Sequence, residues 1–180
     1  NRPIVLMFEQ EKYDIIGKNY NQTRKADAYL VERLFYHLSP IKSGKYLDIG
    51  CGTGNYTIAL SEKGVDFIGV EPSEKMLAKA MARNSDVDWK FGRAEEISLE
   101  NESVEGILAT LTIHHWTDLR QAFRELNRVL KSDGKIVIFT TTPEQNVGYW
   151  LCNYFPNMLK AGCEQLPDFE TVEDALNEGG

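Results

Sequence analysis

The sequence predicts an α/β chain built on a doubly wound, mainly parallel sheet, and three observations carry that expectation. Strand-like apolar runs alternate with helical patterns from residue 45 to residue 140. The first run passes directly into Gly50, Cys51, Gly52, Thr53 and Gly54. The second ends on an acid, Glu71, with Pro72 behind it. Alternation on this scale calls for parallel strands joined by right-handed helical crossovers. Glycine at every second position lets the backbone turn sharply and lets a flat ligand lie against the main chain, which describes an adenosine-type cofactor site.

The elements follow in order. Within 9–38, Val31, Leu34, Phe35 and Leu38 recur at helical spacing and Pro40 stops the run, so one or two cap helices fill 1–40. The spacing then predicts strand 45–49, helix 54–63 and strand 66–70. Pro72 blocks the strand and Ser73 caps a helix over 73–83 whose apolar positions include Met76, Leu77 and Ala80. Strand 87–91 follows. Residues 99–104 are polar and few, so the third strand joins the fourth, 104–110, with little or no helix. Thr117 is the expected cap of a helix over 117–131, where Leu119, Ala122, Phe123, Leu126, Val129 and Leu130 form a continuous core stripe. Strand 135–141 comes next. Beyond Thr142, Tyr149, Trp150, Tyr154 and Phe155 crowd ahead of Pro156 on the sheet edge where ligands bind in open α/β folds. They read as a substrate lid or as a cover for that edge. A last helix is expected over 172–177. The whole is one domain, with cap helices at 1–40, a core at 41–142, and a lid segment and last helix at 143–180.

Composition narrows the classes. At 180 residues the chain suits one domain with a single sizeable core. Its apolar content of 42% and charged content of 26% are ordinary for a soluble globular protein. The longest purely apolar runs, such as 4–8, are far too short to cross a bilayer or act as a secretory segment. A cytoplasmic monomer or homodimer without membrane contact is the expectation. Three cysteines at 51, 152 and 163 lack metal-ligand spacing, and an odd count argues against a disulfide scaffold. A net charge of −7 discourages tight contact with nucleic acid phosphates, and no basic cluster exceeds a pair.

The loop chemistry is more specific. A dinucleotide fingerprint needs glycine at its first, third and sixth positions. Counted from Gly50 the sixth residue is Asn55, and an acid, Asp48, precedes the loop. That carboxylate would repel a pyrophosphate, hold loop amides in place and favour a cationic ligand such as S-adenosylmethionine, which has a sulfonium, an ammonium and no phosphate. An oxidoreductase with an unusual dinucleotide loop is opposed by both Asp48 and Asn55.

Residues 46–56 resemble motif I of the class I S-adenosylmethionine-dependent methyltransferases, most of all the small-molecule subgroup that includes the ubiquinone and menaquinone enzymes. Other motifs of that family follow in register over roughly residues 13–142. Glu71 stands about 20 residues past the first glycine, where an acid typically accepts hydrogen bonds from ribose hydroxyls. Gly92, Arg93, Ala94 and Glu95 are similar to the segment that contacts the adenine edge, with Arg93 where an Asp is frequent. Strand 104–110 and its sequel Leu111, Thr112, Ile113, His114, His115 and Trp116 resemble the fourth motif, and 123–140 resembles the usual helix, turn and fifth strand. Tyr13, Asp14, Tyr20 and Arg24 resemble the N-terminal pattern around a cap helix.

The resemblance implies a Rossmann-like methyltransferase fold, S-adenosyl-L-methionine as cofactor and a small-molecule methyl acceptor. Gly50, Cys51, Gly52 and Gly54 would cradle the methionine and ribose portions, with Asp48 fixing the loop and helping with the ammonium. Glu71, beside Pro72, would clasp the ribose. Met76 would pack on adenine, and backbone groups of Ala94 and Glu95 would serve its edge. The main chain near Ala109 and Thr110 would complete the amino-acid end. Tyr20 and Arg24 would meet the methionine carboxylate or close over the substrate, or else belong to an ordinary surface helix. Family members usually continue into two further strands. Their absence means either a fragment or a sheet of five strands, and truncation is the reading adopted.

Methyl transfer from a sulfonium is an in-line displacement, so the protein mainly aligns the nucleophile and excludes water, and no triad is required. A hydroxyl or phenol acceptor also needs a base, and His is the usual choice. His114 and His115 are the catalytic candidates; the alternative is a structural pair in a loop against Trp116. No third ligand lies at a spacing that would make them a metal site. Two rival functions remain: a non-catalytic subunit that binds the cofactor and uses the aromatics at 149–155 as an interface, and an RNA-directed methyltransferase.

Overall fold

A computed structural model of the chain describes residues 25–146 and 163–179. Tyr20, Arg24 and the aromatic cluster at 149–155 lie outside the described residues. Five strands, β1 (Lys45–Ile49), β2 (Asp66–Glu71), β3 (Asp88–Phe91), β4 (Val104–Thr110) and β5 (Leu130–Phe139), form one sheet in the order β3-β2-β1-β4-β5. Every neighbouring pair is parallel. The described helices are α1 (Ala28–Leu38), α2 (Asn55–Ser61), α3 (Glu74–Arg83), α4 (Leu119–Val129), α5 (Pro143–Asn146) and α6 (Phe169–Gly179). This is the doubly wound α/β architecture expected of the sequence.

Successive side chains of a strand point to opposite faces, and here both faces are covered. Leu47, Ile49, Ile68, Val70, Ile107 and Ala109 pack with Ala122, Phe123, Leu126 and Val129 of α4 and with Ala175 of α6. On the other face Tyr46, Phe67 and Leu108 meet Val31, Leu34 and Leu38 of α1 and Leu60 of α2. Burial from both sides explains why these strands read as continuous apolar runs. Phe123 and Leu126 are essentially removed from solvent, and each contributes roughly 2 kcal/mol through that burial.

Helix ends follow their local chemistry. Asp27 caps α1 by accepting from Leu30 N–H at 2.9 Å, and Ser39, left-handed at φ 47, ends it before Pro40. Ser73 caps α3 as expected, accepting from Met76 N–H at 3.3 Å. The connection 92–103 contains no helix, also as expected.

Several boundaries differ. The helix predicted over 117–131 runs only over Leu119–Val129, and its cap is Asp118, which accepts from Gln121 N–H at 3.0 Å. Thr117 is displaced from that role because Glu95 takes both its N–H and its hydroxyl. At the other end Leu130 pairs with Val104, while Gly106 already pairs with Lys135. The strand therefore begins at Leu130, not 135, and the predicted turn at 132–134 lies within an irregular register, as in a β-bulge. It ends at Phe139 rather than 141. The last helix is longer than predicted, because Asp168 accepts from Thr171 N–H at 2.7 Å and starts it at Phe169.

The strand order reverses between β1, which leads to β2 on one side, and β4 on the other. In open α/β sheets the crevice beyond the carboxyl ends of two such strands is where ligands bind.

Candidate functional site

The loop after β1 forms one bank of that crevice. Gly50, Gly52 and Gly54 all take positive φ, at 68, 59 and 74. Gly50 N–H and Cys51 N–H both donate to the Val70 carbonyl, at 2.8 and 3.1 Å, tying the loop to the end of β2. A Cβ at Gly50 would run into the Thr112 hydroxyl, so only glycine lets the loop approach the segment after β4 this closely. At Gly52 an added Cβ would meet nothing nearer than Met76 Cε at 3.9 Å. The loop is thus tight where it faces protein and open where it faces the crevice. Arg83 fastens its far end, donating to the Thr53 carbonyl at 2.6 Å and to Asn55 Oδ1 at 2.7 Å.

Two buried acids lie behind the loop. Glu71 Oε2 accepts from Gly52 N–H at 2.8 Å and its Oε1 accepts from Ser73 N–H at 2.9 Å. Asp48 is expected to hold the loop amides, and the structure corrects this: Glu71 holds that of Gly52, and the Val70 carbonyl those of Gly50 and Cys51. Asp48 lies on the face of β1 that looks toward α2, where its Oδ2 accepts the Thr57 hydroxyl proton at 2.6 Å. Its Oδ1 is buried with no hydrogen-bond partner. Burial pushes the Asp48 carboxyl up to about 7, against the Thr57 bond, and the neighbouring Glu71 charge adds to the rise. Burial also raises Glu71, in spite of its two amide donors. Cys51 is raised well above an ordinary thiol, by burial first and then by the two acids. Its thiol packs against Gly69 of β2 and is disfavoured as a thiolate.

The adenine-side candidates fall next to Glu71. Gly92 N–H donates to the Glu71 carbonyl at 3.3 Å, and Ala94 and Met76 are buried. Pro72 follows Glu71, half-buried. The Glu95 side chain is committed elsewhere: its Oε1 accepts from Thr117 N–H at 2.6 Å, the Thr117 hydroxyl at 2.8 Å and Asp118 N–H at 3.3 Å.

The other bank follows β4. Ala109 is fully buried, and the Thr110 hydroxyl is buried without a hydrogen-bond partner. Leu111 adopts φ 52, unusual for a residue with a side chain, and donates its N–H to the Phe139 carbonyl at 2.7 Å. Thr112 then opens a single 3-10 turn, Ile113–His115, closed by His115 N–H to the Thr112 carbonyl at 2.8 Å. The His114 and His115 rings lie with centroids 3.8 Å apart, half-buried. Trp116 meets Phe123 edge-on at 5.6 Å. A hollow of about 430 Å³ opens beside this turn toward α6, lined in part by Trp116, Asp118, Arg120 and Asp174. The structure therefore brings Asp48, the glycines, Glu71, Met76 and Ala94 together on one bank and sets the histidine turn on the other, joined where Thr112 abuts Gly50.

Thr57, Arg83 and Thr112 were not foreseen. Each acts through a contact with a residue distant in sequence, and no local pattern signals that.

A family pattern describing a methyltransferase domain matches residues 47–138, just over half of the chain. The chain belongs to this methyltransferase family. An uncharacterized methyltransferase of Mycobacterium bovis is 34% identical over 112 residues, covering 62% of this chain and 46% of that protein. A ubiquinone/menaquinone biosynthesis C-methyltransferase of Rubrivivax gelatinosus is 28% identical over 142 residues, 69% of this chain and 57% of its own length. Among solved structures, a methyltransferase candidate from an antibiotic biosynthesis pathway of Anabaena variabilis superposes with a TM-score of 0.80 at 34% identity, covering 88% of this chain and 63% of that one. Phosphoethanolamine N-methyltransferase 2 of Haemonchus contortus, in complex with S-adenosyl-L-methionine, gives 0.67 at 25% identity, over 85% of this chain and 36% of that one. The chain spans less than half the length of the first of these relatives. Among the described residues no helix is long and apolar enough to cross a membrane.

Proposed function

We propose that this member of the methyltransferase family binds S-adenosyl-L-methionine at the glycine loop and transfers its methyl group to a small molecule held against the turn at 112–116. The observation that carries the reading is the buried acid pair behind an open glycine loop. Asp48 presents a buried oxygen with no partner, Glu71 has lone pairs left after its two amide bonds, and Gly52 leaves free approach in front of Met76. A cation relieves two desolvated carboxylates, whereas a pyrophosphate would add to their repulsion.

Bound cofactor supplies a methyl already activated on a sulfonium, with a neutral thioether as leaving group. The residues provide the rest. Glu71 accepts from the ribose hydroxyls, Asp48 balances the ammonium charge, and the backbone of Ala94 and Glu95 meets the adenine edge. Pro72 and Met76 shape the adenosine wall, and the main chain of Ala109 and Thr110 borders the amino-acid end. A ring nitrogen of His114 or His115 orients a hydroxyl or phenol acceptor and takes its proton. The family resemblance supports the cofactor-binding roles, and the place of the histidines just after β4 supports theirs. The net charge of −7 supports a small acceptor over nucleic acid, and the same reading takes the chain as a cytoplasmic monomer or homodimer.

Calorimetry with S-adenosylmethionine and with NAD tests the donor. Binding of NAD alone would sink the assignment. Incubation with methyl-labelled cofactor and a metabolite extract, followed by identification of the labelled product, tests the acceptor class. Label found only in RNA, or only a stable complex with a second chain, would replace the small-molecule reading.

A further inference from the structure

The turn that carries His114, His115 and Trp116 is held at both ends by the donor bank. At its start Thr112 abuts Gly50. At its end a single carboxylate oxygen of Glu95 gathers Thr117 N–H, the Thr117 hydroxyl and Asp118 N–H at 2.6, 2.8 and 3.3 Å. Glu95 is 22 residues away in sequence, and the Gln121 amide donates back to its carbonyl at 3.4 Å. Three residues back along the chain from Glu95, Gly92 is tied to the donor site. Gly92 N–H donates to the Glu71 carbonyl, and the Glu71 carboxylate holds Gly52. The grip of Glu95 on Thr117 is not the cap of α4, which Asp118 supplies by itself.

We infer that Glu95 is a positioning residue: its carboxylate fixes the turn at 112–117 relative to the glycine loop, so that filling the donor site sets the placement of the histidines and Trp116 that face the acceptor. This rests on the proposed donor site. A ligand seated between Gly52 and Ala94 bears on residues 92–95, and Glu95 passes that displacement to Thr117. Carboxylate oxygens gathering amides at the start of a helix hold firmly, because the bonds are charge-assisted and the helix dipole favours an anion there.

The test uses the chain labelled with 5-fluorotryptophan, which gives one fluorine resonance each for Trp89, Trp116 and Trp150, assigned by replacing each with Phe. S-Adenosylhomocysteine is titrated, with its occupancy measured separately by calorimetry. In the native chain the Trp116 resonance moves in step with occupancy. In Glu95→Ala that movement is lost when the two chains are compared at equal measured occupancy. Glu95→Gln, whose amide oxygen accepts the same protons, restores it. Glu95→Asp keeps the charge but shortens the reach, and also loses the movement; it stands in for Glu95→Ala if that variant does not fold. Equal movement in the native chain and in Glu95→Asp overturns the inference while leaving the donor site intact. Absence of any binding to the native chain overturns the donor reading and this inference together.

Discussion

Across the crevice between β1 and β4, the glycine loop and the histidine turn are held by different means. The loop is fixed by buried interactions: two amides on the Val70 carbonyl, one on Glu71, and positive φ at three glycines. The turn is fixed at its ends, with Ile113 buried in the core and His114, His115 and Trp116 half-buried, and exposed side chains stand beside it. Leu111 is 43% exposed and Phe139 36%, both at the carboxyl edge of the sheet. One bank is specified by backbone stereochemistry and buried charge, while the other carries half-buried and exposed side chains. A cofactor common to a family suits the first bank, and an acceptor that varies among members suits the second.

Gly50→Ala strains a residue at φ 68 and drives a methyl into Thr112. It should cost about 3 kcal/mol of stability in urea unfolding, and a loss within experimental error would mean that the two banks do not touch. Glu71→Ala removes the acceptor for Gly52 N–H and Ser73 N–H. Calorimetry should show affinity for S-adenosylmethionine weakened by about 2 kcal/mol, while the fold, read by circular dichroism, persists.

The acid pair predicts a pH dependence. A carboxyl raised to about 7 by burial stabilises the free chain below the ordinary carboxylate range, near 4, and this contribution is lost as pH rises through about 7. A cationic ligand favours the ionised form, so its affinity should run the other way, rising about tenfold from pH 6 to 8 and then levelling. Asp48→Asn should flatten both curves, and parallel curves for the native chain would contradict the placement of a cation beside Asp48. The smallest effect is expected on the other bank. Leu111→Gly relieves the left-handed strain, and after glycine's greater unfolded-state freedom it should stabilise the chain by about 0.5 kcal/mol. Acceptor turnover should fall meanwhile, because the exposed Leu111 side chain adjoins the turn at 112–116, and unchanged turnover would show that the acceptor does not reach it.

What could be read in the sequence divides along the same line. The glycine loop was legible because its conformation demands glycine at fixed positions, and Glu71 because strand length fixes where an acid falls beside it. The stripe of α4 was legible because buried helical faces repeat every three or four residues. The division of labour between Asp48 and Glu71 was hidden, since it depends on which face of β1 looks toward α2. The end of α4 was misread because Leu130 and Lys131 are good helix formers, and pairing of Leu130 with Val104 overrides that preference. Thr117 and Asp118 are both good caps, and only the distant Glu95 decides between them.

One further contact bears on how this site can change over time. The indole of Trp89 lies where Cβ atoms of both Gly54, in the loop, and Gly69, in the middle of β2, would be, and its Nε1–H is anchored on the Asn84 carbonyl at 2.7 Å. Three residues on three elements thus share one volume. Neither glycine can grow until the tryptophan has shrunk, and a shrunken tryptophan leaves a hole that only a larger neighbour refills. Substitutions here must arrive in order, large to small first, so this corner of the donor bank is reachable by few mutational paths.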